Sequence, residues 1–494
     1  MGESVVNFTE SLLHHHSDET ASQNKRLKDL YSDSIEEFLG EDNIPGEWWA
    51  LLVGWELRQL WSVCGIYIVV AIFNSMLSIV TQMFVGHHLG TMQFAGASMA
   101  ILEIQNLGLI VMSGMAISVQ TLSGEAFGTK KYDTLATICQ KAIIVQLGAA
   151  VVLSSLYWYT GTVLESLGVW SAISDPSQIF GRGLLPQLFA YALIFPMQKF
   201  LQAQYIVYPL AYAAVGIFVL HSILTWLVVV VFNYGLMGAA LTLSFSWWLL
   251  VIITGLYILL SPSCEKTWTG FSTNAFKGLW AHTKLSLASI FMLSFESWYS
   301  VGLVLSAAYF YDPDVSVNVA SFAICINYLN LDLTFMLGLS TAAIIRVGTE
   351  IGSAHPRVAR FSAIVVNATS ILISIIFSAI VLAFGPALGR AFINNEEILK
   401  AVSDFTPLLA ISIFLNGVEP ILSGVGIGIG RPGLVILFYG CNYYIIGLTV
   451  GYCLAFMTSL GVAGIWWGVI LGFLVQTLTL VILIVTNWNK MVSY

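Results

Sequence analysis

The chain has 494 residues, 57% of them hydrophobic and 9% charged, with a mean hydropathy of +0.84 and a formal net charge of −8. A soluble domain of this length carries about 25% charged residues. A water-covered globule is therefore excluded, and lipid must serve as part of the solvent. The negative charge is local. Residues 1–48 hold eleven acids and three bases, and the rest of the chain has sixteen of each, so no nucleic-acid partner is expected. Backbone groups in lipid must pair internally, which leaves helices or a closed barrel. The apolar stretches run well past the ~10-residue strands of a barrel, so the chain reads as an all-α integral membrane protein.

In chain order, residues 1–48 form an acidic tail expected to be disordered and cytosolic. The run His14-His15-His16 reads as part of that tail, not as a metal site. No apolar signal region opens the chain, so the first membrane helix is expected to direct insertion. Spans follow near 58–84, 94–122, 135–159, 178–204, 209–232 and 236–261, an N-lobe within 49–261. A polar, amphipathic stretch at 262–279 (Trp268, Phe271, Phe276) reads as an inter-lobe linker at the membrane interface. Six more spans lie near 280–307, 317–346, 358–384, 400–426, 433–456 and 461–487, a C-lobe within 280–487. A short cytosolic end covers 488–494. One face receives Lys130, Lys131, Lys141, Lys199, Lys266, Lys277, Lys284, Arg346, Arg357, Arg360, Arg431 and Lys490, and the other only Arg182, Arg390 and Lys400. That asymmetry places both termini in the cytosol. Six cysteines without CxxC spacing suggest neither a disulfide framework nor a zinc site.

The two sixes repeat each other. Gly114–Gly124–Gly128 and Gly338–Gly348–Gly352 share a G-x9-G-x3-G spacing, and Pro186/Leu201 with Pro407/Leu422 share another. Gly235-x-x-Gly238 recurs as Gly461-x-x-Gly464. Close helix packing explains the use of glycine, but not the nearly constant displacement of the three landmarks. Six spans per repeat is even, so both halves insert the same way up. The fold expected is twelve transmembrane helices in two six-helix lobes related by an internal parallel repeat, which suits alternating access.

These motifs carry a resemblance. Gly338-Leu339-Ser340-Thr341-Ala342-Ala343 with Arg346-Val347 and Glu350-Ile351-Gly352 resembles the signature after the eighth helix of plant multidrug and toxic compound extrusion (MATE) transporters. Its first-half counterpart is Gln120 to Gly128. Phe200-Leu201-Gln202-Ala203-Gln204, Trp268-Thr269-Gly270-Phe271-Ser272 and Gly464-Ile465-Trp466-Trp467-Gly468 add to it in family order. The loop Gly128-Thr129-Lys130-Lys131-Tyr132-Asp133 does not fit a major facilitator. The resemblance implies a central cavity opening alternately to either side and export of organic solutes in exchange for protons, flavonoid conjugates among them. It also implies a vacuolar or plasma membrane location, the vacuolar membrane being the one expected here. A monomer without cofactor is expected, its partners being a small-molecule or ion substrate, protons and the lipid bilayer. A vacuolar anion carrier or channel, for chloride or organic acids, is the competing reading on the same scaffold.

An ionisable side chain at membrane depth costs about 2.5–3.5 kcal/mol or more, so each marks a candidate site. Glu296, in Phe295-Glu296-Ser297-Trp298-Tyr299 of span seven, matches the glutamate that the family resemblance assigns to proton binding. Plant members often pair it with an aspartate in span ten, where this chain has Asn416. That departure puts a two-carboxylate relay in doubt. Asp332 in span eight and Glu419, one helical turn past Asn416, are the acids that could compensate. Asn416 could hydrogen-bond Glu296 and contact substrate, as could Asn327, while Trp298, Tyr299 and Tyr328 could stack on a planar solute. In the first half, Glu103 lies with Gln105 and Asn106 in span two, as a packing cluster or a substrate site. His221 in span five reads as a satisfied helix-contact residue. No HExxH, Walker loop or partnered GxSxG occurs, so no enzyme is expected.

Overall fold

The computed structural model describes residues 32–40, 46–128, 131–204, 206–284, 286–287, 290 and 315–491. Among these there is no strand, and eleven helices are long and apolar enough to cross a membrane. The expected seventh span falls mostly outside the described residues, as do residues 1–31.

A short helix α1 (Ser32–Phe38) precedes α2 (Gly46–Leu89), whose apolar part is Cys64–Leu89. Then come α3 (91–128), α4 (Tyr132–Trp158), the short α5 (Thr160–Ser166), α6 (Ser171–Ala203), α7 (Tyr208–Val231) and α8 (Gly235–Leu260). The second lobe supplies α9 (Val315–Gly352), α10 (Pro356–Arg390), α11 (Glu396–Gly428), α12 (432–457) and α13 (Val462–Met491). The tightly spaced spans near 209–232 and 236–261 are two helices. The chain breaks between them where Asn233 (φ 52°) and Gly235 (φ 62°) enter the left-handed region that ends helices.

Three of the spans contain π-helical turns: Ala100–Gln105 in α3, Leu227–Val231 in α7 and Gly440–Leu448 in α12. Such insertions shift side-chain register within a helix. α11 starts on Asn395, whose Oδ1 accepts from the N–H groups of Glu397 and Ile398 at 3.0 and 3.3 Å. Glu396 and Glu397 in its first turn complement the helix dipole. Pro407 and Pro420 lie inside it. The carbonyl of Pro420 accepts from Ser340 Oγ at 2.6 Å, a partner from α9.

The tail expectation needs one correction. Residues 32–38 are a helix, because Ile35 inserts into a core formed with Val347, Val358 and Ala359 and is 1% exposed. The linker expectation gains detail: Trp268 packs edge-on against Phe200 and Phe271, and Gln140 grips the backbone at Gly270 and Ser272. Phe271, Phe276 and Trp280 stay exposed, as side chains at a membrane interface do.

Candidate functional site

α11 carries the acidic chemistry of the second lobe. Its residues 416, 417 and 419–426 are buried around Pro420, and Asn416 and Glu419 leave the helix toward different neighbours. Asn416 Nδ2 donates to Asp332 Oδ2 of α9 at 2.8 Å. Asp332 Oδ1 is buried without a hydrogen-bond partner. Glu419 instead faces α12: Ser423 Oγ donates to its Oε1 at 2.7 Å, and the hydroxyls of Tyr439 and Tyr443 bond the same carboxylate. Asn442, from the π-helical turn that also carries Tyr443, donates to Gln476 Oε1 at 2.7 Å and to Thr479 Oγ1 at 2.8 Å. Two buried carboxylates therefore lie at α11, one from α9 and half-satisfied, the other its own and well supplied with donors.

The other expected contacts distribute as follows. Glu296, Trp298 and Tyr299 lie outside the described residues. Asn327 and Gln82 of α2 exchange two hydrogen bonds, at 2.8 and 3.2 Å, across the seam between lobes. Tyr328 donates to the carbonyl of Leu388 at 3.0 Å and packs edge-on against Phe392. Both side chains are committed to protein partners in this conformation. The structure brings Asp332 and Asn416 together, turns Glu419 to a separate set of donors, leaves Asn327 at the contact between lobes and ties Tyr328 to Leu388 and Phe392 within the second lobe.

In the first lobe, Gln105 donates to Ser78, Gln187 and Tyr191 at 3.0–3.2 Å, a network joining α2, α3 and α6. Glu103 lies on the same π-helical turn, buried, with neither oxygen hydrogen-bonded. His221 is satisfied: its Nδ1 lies 2.8 Å from Ser246 Oγ, and its Nε2 lies 3.0 Å from both Thr81 Oγ1 and the carbonyl of Leu77. Among the described residues no group of three or more His, Cys, Asp or Glu could hold a metal ion.

Sequence reasoning missed the donors around Glu419. Ser423 could have been found as its i+4 neighbour, but Tyr439 and Tyr443 lie on another helix. It also missed that Arg346 and Glu350, read there only for topology and as part of a motif, form a charge cluster with Glu56 of α2.

Comparison with known proteins agrees with this architecture. The MatE family model matches residues 67–227 and again 288–453, one match in each half. Protein DETOXIFICATION 41 of Arabidopsis thaliana is 51% identical over 471 residues, covering 95% of this chain and 92% of that protein. Protein DETOXIFICATION 37 of the same plant is 38% identical over 440 residues, covering 89% and 87%. The crystal structure of the eukaryotic MATE transporter AtDTX14 superposes with a TM-score of 0.77 at 29% identity, covering 89% of this chain and 98% of that one. An inward-facing multidrug resistance MATE family transporter shares the fold with a TM-score of 0.74 at 15% identity, covering 87% and 99%. With both halves matched and the twelve-helix, two-lobe fold shared, the chain belongs to the MATE family of transporters.

Proposed function

We propose that this transporter exports organic solutes from the cytosol in exchange for protons, with flavonoid conjugates as the substrate class and the vacuolar membrane as its site. The observation that supports this most is the pair of buried carboxyls around α11: Asp332 of α9, held by Asn416, and Glu419 of α11 itself, the residue before Pro420. A proton and a solute that compete for the same carboxyl group, each favouring a different lobe arrangement, suffice for antiport. Glu296 is the principal proton site in this reading. Asp332, steadied by Asn416, and Glu419 are its auxiliaries, and the lysine-rich face with both termini is cytosolic.

The test is uptake of a flavonoid glucoside into proteoliposomes under an imposed pH gradient. Glu296→Gln should lower proton-driven uptake at least tenfold while the protein remains folded by size-exclusion chromatography. Asp332→Asn and Glu419→Gln should each lower it severalfold. Proton-driven uptake that is unchanged in all three variants would overturn the assignment. Currents reversing near the equilibrium potential of chloride or an organic acid would favour an anion channel instead.

A further inference from the structure

The first half of α2 packs with the opposite lobe. Leu52, Trp55, Leu60, Cys64 and Ile68 share one buried core with residues of α9, α10 and α11. From Val70 onward first-lobe partners enter: Ile72 still packs on the second-lobe core, but Leu77, Ile79 and Val85 lie in a core that holds residues of both lobes. Val70 and Phe73 join a core with Leu135, Phe200 and Leu210 of the first lobe, and Phe73 meets Phe218 at 5.3 Å.

Charges fasten the first half. Arg346 Nε and Nη2 donate to the two oxygens of Glu56 at 3.0 and 2.8 Å, and its Nη1 donates to Glu350 at 2.8 Å. Ser362 Oγ of α10 donates to the same Glu56 at 2.7 Å, and the Arg346 guanidinium lies over Trp55. The helix before α2 extends the attachment. The Glu36 carboxylate accepts from the N–H groups of Arg357 and Val358 at 3.0 and 2.8 Å, capping α10, and Ser32 Oγ donates to Glu350 at 2.9 Å. That core holds residues of α1, α2 and the second lobe alone, and a bidentate pair between the buried Glu56 and the mostly buried Arg346 seals it, as in the interior of a single body.

We propose that residues 32–40 and 46–68 form an intramolecular clasp belonging to the second lobe, so that the moving boundary between lobes crosses α2 near residues 68–72. α1, Glu56 and Arg346 then position the first membrane helix rather than touch solute. During transport the lobes part along residues 70–89, where the Gln82–Asn327 pair lies, and not along the clasp. The inference rests on alternating access, but not on protons being the coupling ion.

Ile68 and Gly338 provide the test. A Cβ placed on Gly338 would lie 3.5 Å from the Cβ of Ile68, within the range a disulfide spans. In the full chain, Ile68→Cys/Gly338→Cys should keep at least half of its flavonoid glucoside uptake when oxidised, compared with the same protein reduced. A tenfold or greater fall on oxidation, restored by reduction, would overturn the proposal. A second readout needs no transport. Cys64 is a free thiol, 0% exposed within the clasp, and Cys453 is an exposed one. Maleimide labelling followed by peptide mass spectrometry should find Cys64 equally slow in resting and transporting vesicles. Arg346→Gln and Glu36→Ala should each speed it at least tenfold while Cys453 keeps its rate. Faster Cys64 labelling during turnover, or no change in either variant, would count against the clasp, and this arm decides if the double variant is inactive when reduced.

Discussion

Asp332 meets α11 at Asn416, one turn before Glu419 on α11 itself, and the two carboxyls keep different company. Asp332 has one donor, Asn416, and an oxygen left over, while Glu419 is met by Ser423, Tyr439, Tyr443 and Gln476. The contrast makes Asp332 the more exchangeable of the two in the reading proposed above. Between them, Gly417 is forced by contact. A Cβ there would collide with the Ser374 side chain of α10 and crowd Met336 of α9. Gly417→Ala should therefore lower stability by about 1–3 kcal/mol, measured as a fall in the unfolding midpoint of detergent-solubilised protein. Ser374→Gly in the same chain should recover part of that loss, since touching residues couple. The acids themselves were legible in the sequence, because a charge inside an apolar run stands out residue by residue. Their partners were not, since Asn416 and Asp332 are separated by 84 positions and meet only when α9 and α11 pack.

At the scale of elements, hydropathy located the spans because a membrane helix must satisfy its backbone within itself. Where the signal depends on neighbours it failed. α1 is short and acidic, and its helix exists because Ile35 finds a core and Glu36 finds the unpaired N–H groups at the start of α10. The π-helical turns at Ala100–Gln105 and Gly440–Leu448 have no local signature in the sequence either. Asn395 shows how one residue serves two elements. It caps α11 and its Nδ2 reaches Thr91 Oγ1, at the start of α3, at 3.3 Å. Asn395→Ala should cost about 1 kcal/mol through the lost cap. Asn395→Asp, which keeps the acceptor but loses the donor to Thr91, should retain most of the stability. Thermal unfolding of the two variants side by side checks this.

For the whole molecule, the repeat was readable because glycine and proline landmarks survive as fixed offsets, and the two family matches follow the same division. The division of α2 between bodies was not readable, because its hydrophobic face continues without a break while its partners change. Arg346→Gln would leave Glu56 buried without its cation, while Glu350 keeps His355 Nδ1 at 3.0 Å. Removing one partner of a buried pair costs about 3–5 kcal/mol, so this variant should lower the unfolding midpoint more than Gln82→Ala. Equal shifts in a thermal scan would contradict the ranking.

The two attachments of α2 also differ in kind. One end is riveted by charges that lose much if separated. The other is joined without an ion pair, through the Gln82 and Asn327 amides, the His87 ring on the Ala391 carbonyl and an apolar core shared by both lobes. A rod pinned by charge to one lobe at its foot, and packed between both lobes at its head, is freed at the head first. The direction in which the lobes begin to separate is thereby written into the chemistry of a single helix.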